Sequence, residues 1–261
     1  MAAQQPTPYA MASTVEEFRQ NLAAVRARID VAAERSGRAA SEIRLLPVSK
    51  TVPQERLRLA VAAGCTRLGE NKVQEAKRKH AEMADLDIAW SVIGHLQTNK
   101  AKDVAAFAAE FHALDSVRVA HALDRRLQAE GRSLDVFVQV NTSGEESKYG
   151  LTPEELPGVL REVRHCSALR VRGLMTLAVF SADEDRVRRC FRVLRRLRDE
   201  ARDADEGLIG DGGLSMGMSG DYEVAVEEGA TCVRVGQAIF GARAVPDSQW
   251  WPGEPGLGDT T

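Results

Sequence analysis

The period of the apolar positions changes repeatedly along the chain. Val15, Phe18, Leu22, Val25, Ile29 and Ala32 recur at alternating steps of three and four, which draws one stripe on a long helix. Ser13 and Glu16 have capping-box spacing at its start, and Gly37 is a fitting stop. From there short aliphatic runs alternate with amphipathic helical stretches. The runs lie at 44–49 (RLLPVS), 66–69 (TRLG), 88–94 (IAWSVIG), 111–115 (FHALD), 134–141 (LDVFVQVN), 169–177 (LRVRGLMTL), 214–218 (LSMGM) and 231–235 (TCVRV). Helical patterns fall near 54–64, 71–84, 97–108, 117–130, 153–165, 183–204 and 221–229.

Strand–helix alternation forces parallel strands joined by right-handed crossovers. Eight such units predict an α/β fold, a closed (β/α)8 TIM barrel with the long N-terminal helix as an addition. An open doubly wound sheet is the alternative, and it lacks the Gly-x-Gly-x-x-Gly turn expected after the first strand. Residues 1–12 are polar, small and Pro-bearing and read as a loose tail. Residues 13–243 read as one barrel domain, and 244–261, with Trp250 and Trp251, as a C-terminal tail.

Composition narrows the class. Of 261 residues, 44% are hydrophobic but only 5% aromatic, so the core must come from Val, Leu, Ile and Ala. Lys plus Arg number 35 against 38 Asp plus Glu, a net charge of −3, which argues against a dedicated nucleic-acid binder. The arginines at 186, 188, 189, 192, 195, 196, 198 and 202 are interleaved with acids and read as a solvated helix face. No run approaches 18 apolar residues, so no membrane span is expected. The N-terminus lacks the basic start and apolar stretch of a secretory signal. Cys65, Cys166, Cys190 and Cys232 have no CxxC spacing and read as reduced, mostly buried thiols of a cytoplasmic protein. The histidines show no metal spacing, so no metal is expected.

In a barrel the chemistry sits at the C-terminal ends of the strands. The first run delivers Lys50, where burial should lower the amine pKa and favour Schiff-base formation with an aldehyde. The bland alternative is a lysine that snorkels to solvent. After the seventh and eighth runs, small residues open helices at Met218-Ser219-Gly220-Asp221 and Val235-Gly236-Gln237-Ala238. Small residues there let backbone N–H groups approach an anion, and barrels often bind phosphate at those two loops. An amine on the first strand facing a phosphate cradle on the seventh and eighth describes a pyridoxal 5′-phosphate pocket. Arg234, at a pyridine nitrogen, would disfavour its protonation and weaken the ring as an electron sink. His95, at a strand end, is a candidate for the pocket lining or for a supporting polar role.

The motifs LLPVSKT (45–51), GENKVQEA (69–76), WSVIGHLQTNK (90–100), VQVNTSGEESKYG (138–150), GLMTL (173–177) and LSMGMSGDYEVAVEEGATCVRVGQAIFG (214–241) together resemble the pyridoxal phosphate homeostasis protein family, also described as YggS-like. The resemblance covers roughly residues 13–243. It implies the fold-type-III barrel of the alanine racemase N-terminal domain and a protein that holds pyridoxal phosphate and buffers its supply. It also implies Lys50 as the Schiff-base lysine and Ser219, Gly220 and Gly236 as the phosphate turns. Arg234 matches the residue facing the pyridine nitrogen, Asn71 a polar lining residue, and Met175 and Met218 apolar neighbours of the ring. Gln237 departs from the Thr or Ser often found there, so its backbone N–H is the expected contact.

No catalytic residue is expected. Racemisation needs a second acid/base on the ring face opposite the lysine, and alanine racemase takes a tyrosine from an additional domain that residues 244–261 cannot form. Tyr149 is a conceivable substitute, while Tyr222 is expected to pack or face solvent. The expected function is therefore a cofactor-binding protein of intracellular pyridoxal phosphate homeostasis, without turnover and monomeric. Its expected partners are the cofactor and apo forms of enzymes that use it. The rivals are a pyridoxal phosphate enzyme such as an amino-acid racemase, and a sugar-phosphate barrel enzyme with Lys50 as a base.

Overall fold

The computed structural model describes residues 9–242. Helix α1 (Val15–Arg35) opens the chain, followed by eight strand–helix units. They are β1 (Arg44–Pro47), α2 (Gln54–Ala62), β2 (Arg67–Glu70), α3 (Val73–Glu82), β3 (Ala89–Val92), α4 (Ala101–Phe107), β4 (Glu110–Leu114) and α5 (Val117–Ala129). Then come β5 (Leu134–Gln139), α6 (Leu156–Val163), β6 (Leu169–Met175), α7 (Glu184–Ala204), β7 (Gly213–Ser215), α8 (Tyr222–Glu227), β8 (Cys232–Val235) and the short α9 (Gln237–Phe240). Each strand coincides with one of the eight apolar runs to within a few residues, because a strand buried on both faces reads as a continuous aliphatic segment.

All strand pairs are parallel, in the order β1-β8-β7-β6-β5-β4-β3-β2. The seam between β1 and β2 is closed by a single parallel bridge, Val48 with Gly69, where the Ser49 N–H donates to the Gly69 carbonyl at 2.9 Å. The (β/α)8 TIM barrel follows, and the open sheet is excluded.

The N-terminal helix begins one residue later than its spacing suggested. The sequence holds two overlapping i, i+3 pairs, and the second forms the box: the Thr14 hydroxyl accepts from the Glu17 N–H, and Glu17 Oε2 accepts from the Thr14 N–H. Ser13 is drawn outside it, with both its N–H and its hydroxyl donating to Glu17. The stripe of α1 buries Phe18, Val25, Ile29 and Ala32 against α2, α8 and α9, and Phe18 meets Phe240 edge-on. Helix α1 thus covers the β8–β1 side of the barrel.

Part of the segment read as a loose N-terminal tail is fixed. Residues 1–8 and the segment from 243 onward, including Trp250 and Trp251, lie outside the described residues. Ala12 is buried, the Ala242 N–H donates to the Tyr9 carbonyl, and the Tyr9 hydroxyl donates to the Ser219 carbonyl at 3.1 Å. Gly241 is what lets the chain pass this close: the position of a Gly241 Cβ is only 2.5 Å from Met11 Cα.

The arginine-rich α7 buries Val187, Cys190, Phe191, Leu194 and Leu197. Arg188, Arg192 and Arg195 converge on the buried Glu228 carboxylate. The four cysteines are free and buried.

Candidate functional site

The mouth formed by the C-terminal ends of the strands collects the residues singled out from the sequence. Lys50 follows β1, between the β1–β2 bridge and α2, and is half-buried. β1 neighbours β8 and β8 neighbours β7, so the lysine turn adjoins the two small-residue turns.

Those two turns meet directly. Ser219 Oγ, after β7, accepts from the N–H of Gly236 at 3.2 Å and of Ala238 at 3.4 Å, both after β8. Two backbone donors thus converge on one oxygen position. Glycine is required around them. A Cβ on Gly236 would stand 3.1 Å from the Val48 carbonyl oxygen, and one on Gly217 only 2.6 Å from Ala225 Cβ, at a φ of 93°. Gly220 faces open space. The turn is shaped by Asp221, whose Oδ1 accepts from the Met218 N–H, and burial pushes that carboxyl above its ordinary range. Gln237 opens α9, with its backbone in this turn.

Arg234, on β8, is 3% exposed, and its guanidinium donates to Ser215 Oγ and to the Thr176 carbonyl, both at 2.8 Å. Desolvation lowers its pKa, yet a guanidinium starts so high that it stays charged. Ser215 Oγ also lies 2.9 Å from His112 Nδ1, and His112 Nε2 lies 3.0 Å from Glu110 Oε2. Ser91 donates to the same carboxylate oxygen, while Arg44 and Arg67 hold Oε1. Neither β4 and β7 nor β1 and β4 are neighbours, so this network runs through the barrel interior.

Met175 is buried at the end of β6, and Met218 is half-buried before Ser219. Asn71, just beyond β2, has a buried Oδ1 with no hydrogen-bond partner. On the far side of the mouth, His95 Nδ1 is 2.7 Å from Asp115 Oδ2, and its ring stacks on Tyr149 at 4.1 Å. Tyr149 is 60% exposed, whereas Tyr222 is buried in α8.

The structure therefore gathers Lys50, Met218, Ser219, Gly220, Arg234, Gly236 and Gln237 at the C-terminal ends of three adjacent strands, with Asn71 and Met175 at neighbouring strand ends. Sequence reasoning missed Glu110, His112 and Ser215, which support Arg234 from within. It also missed Glu70, Glu75 and Lys79 beneath the Lys50 turn. Polar residues inside apolar runs were the available signal for the first set. For Lys79 it was the helical step of three from Ala76. Among the described residues no group of three or more His, Cys, Asp or Glu could hold a metal ion, and no helix is long and apolar enough to cross a membrane.

Known proteins resemble this chain in sequence and in fold. The family model "Alanine racemase, N-terminal domain" matches residues 20–244. A "Pyridoxal phosphate homeostasis protein" from Pseudomonas aeruginosa is 43% identical over 231 residues, covering 88% of this chain and 96% of that protein. One from Aquifex aeolicus is 41% identical over 224 residues, covering 86% and 97%. The structure of PipY from Synechococcus elongatus with PLP bound superposes with a TM-score of 0.75 at 33% identity, covering 86% of this chain and 100% of that one. Alanine racemase from Clostridium difficile, at 16% identity, shares the fold, with a TM-score of 0.67 over 94% of this chain and 60% of its own.

Proposed function

The chain belongs to the family of the pyridoxal phosphate homeostasis proteins, and on that premise we propose that it holds pyridoxal 5′-phosphate as a Schiff base on Lys50. In this reading it takes part in intracellular homeostasis of the cofactor without turning over a substrate. The observation that carries the reading is that the small-residue turns after β7 and β8 meet, with the Gly236 and Ala238 N–H groups donating to Ser219 Oγ, on the strand next to the Lys50 turn. Backbone N–H groups and a hydroxyl gathered in such turns suit a phosphate oxygen.

The residues present fit the cofactor. When bound, it supplies an aldehyde for the lysine amine and an electron-withdrawing ring. Ser219, Gly220, Gly236 and the Gln237 backbone would hold its phosphate. Met175 and Met218 would flank the ring, and the unpartnered Asn71 Oδ1 would accept from a polar group at its edge. Arg234 would face the pyridine nitrogen. A guanidinium only donates, so it leaves that nitrogen unprotonated and the ring a weak electron sink. That supports holding over turnover, as does the burial of Tyr222, which removes one phenol from the mouth. The same proposal includes a cytoplasmic location, supported by four free buried thiols, and apo enzymes as recipients. It also includes a monomer, since Met11, Val31, Tyr149 and Phe180, the exposed large apolar residues among those described, are scattered along the chain.

An amino-acid racemase is the second reading. The exposed Tyr149, stacked on a His95 that Asp115 orients, is the feature that favours it.

An absorbance spectrum with added pyridoxal phosphate, before and after borohydride, tests the first reading, with Lys50→Ala as control. The expected result is a visible band, trapped by reduction at Lys50 and absent in the variant. A band that survives in Lys50→Ala overturns the assignment. Exchange of an amino acid's α-proton in deuterated water, dependent on Lys50 and lost in Tyr149→Phe, would select the racemase instead.

A further inference from the structure

Two peptide groups flank the Cα of Lys50, and one ion cluster holds both. The Ser49 carbonyl, on the N-terminal side, accepts from Lys79 Nζ at 2.8 Å. The Thr51 N–H, on the C-terminal side, donates to Glu75 Oε1 at 2.8 Å. The two side chains that grip these peptides also grip each other, with Lys79 Nζ 2.7 Å from Glu75 Oε1. Glu70 Oε1 completes the cluster at 2.7 Å from the ammonium and accepts from the Ser49 hydroxyl at 2.6 Å.

The cluster is deep in the layer between barrel and helices. Lys79 is 1% exposed, and Ser49 and Glu70 are fully buried. A lysine is almost never buried to that degree unless fully partnered. Its place on α3, on the buried face with Val73 and Ala76, would suit an ordinary aliphatic side chain. An ion cluster here is therefore a costly choice for packing alone. The backbone it holds is itself unusual. Thr51, at φ 66°, is the only non-glycine residue with positive φ among those described. A β-branched residue stays in that region only when its surroundings over-determine it. Burial pushes the Glu70 carboxyl up despite Lys79, whereas the ammonium and the Thr51 N–H hold Glu75 below its ordinary range in spite of its burial. Both carboxylates lie 2.7 Å from the Lys79 ammonium.

We propose that Glu75 and Lys79, supported by Glu70, are positioning residues for Lys50. They fix the two peptide planes beside its Cα and so set the direction in which its side chain leaves the barrel rim. The proposal rests on the reading of Lys50 as the cofactor anchor. Neither residue touches the cofactor; they act through the backbone. Holding an amine in one attack geometry lowers the ordering its reaction requires, and a displacement of about 1 Å can cost on the order of a hundredfold in rate.

Glu75 borders an open groove lined by Thr51, Pro53, Gln54, Arg78 and Glu82, so its truncation lets water reach the freed ammonium and should leave the chain folded. The test uses the full chain as wild type, Glu75→Ala, Glu75→Gln, Lys79→Met and Lys50→Ala. Folding is checked by circular dichroism. Three quantities are then read: the rate at which the visible band grows on adding pyridoxal phosphate, the pH midpoint of that rate, and, without cofactor, the acetylation rate of Lys50 by peptide mass mapping. In Glu75→Ala the band should grow at least about tenfold more slowly, with a shifted midpoint and a changed acetylation rate. Glu75→Gln, whose amide oxygen can still accept from the Thr51 N–H, should recover part of the loss. Rates within twofold of wild type and an unmoved pH midpoint in a folded Glu75→Ala overturn the proposal, even if the melting temperature falls. If Lys79→Met does not fold, the two Glu75 variants decide alone. A band that persists in Lys50→Ala overturns the anchor reading and this proposal with it. A normal wild-type band lost in Lys50→Ala but unmoved in the Glu75 variants overturns only the positioning role.

Discussion

Arg234 and His112 meet on the same hydroxyl. The Arg234 guanidinium donates to Ser215 Oγ at 2.8 Å, and His112 Nδ1 lies 2.9 Å from that oxygen. A carboxylate only accepts, so His112 Nε2–H points to Glu110. Burial disfavours the charged imidazolium, and in the neutral ring Nδ1 accepts the Ser215 hydroxyl proton. A one-way chain of donors runs from the candidate pyridine-facing residue, through the interior, to a carboxylate held by Arg44 and Arg67 near the opposite end.

Removing the shared hydroxyl should be expensive. Ser215→Ala leaves one Arg234 donor and the His112 Nδ1 lone pair without their partner inside a buried network. The expected loss of stability is about 1–3 kcal/mol, measured by urea unfolding. A variant as stable as wild type would mean that the chain contributes nothing net.

Acid should weaken the fold in two stages. Burial is the main reason that the His112 pKa lies below its ordinary value of 6.5, with the Arg44 and Arg234 charges adding to it against the pull of Glu110. The unfolded chain takes up this proton near pH 6.5 and the folded chain does not, so stability present above 6.5 is lost as pH falls below it. Burial opposes ionisation of Glu110, but its bonds to His112 and Arg44 outweigh that and hold it well below 4.5, so a second loss starts near 4.5. Each group contributes a slope of at most about 1.4 kcal/mol per pH unit. Urea titrations from pH 7.5 to 4 should show the first slope in wild type and its absence in His112→Gln.

Thr51→Gly should stabilise the chain or leave it unchanged, by up to about 1 kcal/mol, because glycine adopts the left-handed region without a Cβ clash. Thermal unfolding measures it. A clear loss would show that the threonine side chain supports the Lys50 turn beyond its backbone conformation.

Gly94→Ala should be among the most damaging single-methyl changes. Its Cβ would fall 2.1 Å from the Asn71 carbonyl oxygen, a backbone atom that cannot swing aside. A loss of about 3 kcal/mol is expected. Gly220→Ala, in open space, should stay within about 0.5 kcal/mol and serves as the control.

The architecture was legible because it is written in local periods. A stripe at steps of three and four specifies α1, and eight aliphatic runs between amphipathic stretches specify parallel strands joined by helices, for which a closed barrel is the leading arrangement. The Lys50, Ser219–Gly220 and Gly236 turns were legible for a related reason: a barrel assigns function to strand ends, and these residues follow the first, seventh and eighth strands. Boundaries were less secure, as the shift of the helix cap from Ser13 to Thr14 shows, since two overlapping pairs satisfied one pattern.

The contacts that organise the site were decided by tertiary structure. His112 and Ser215 are 103 residues apart and lie on strands that are not neighbours, so only closure of the barrel brings them together. Lys79 could be placed on a buried helical face, and beside Glu75 one turn earlier, from its spacing, but its other two acceptors come from the end of β1 and from β2, and no local pattern reports them. The sequence determined by itself which segments form strands and helices, and which side chains reach the mouth. Register and closure determined which of those groups share a proton, a charge or a peptide. Periodicity is a property of neighbours along the chain, whereas a buried polar group is satisfied by whatever the fold sets against it.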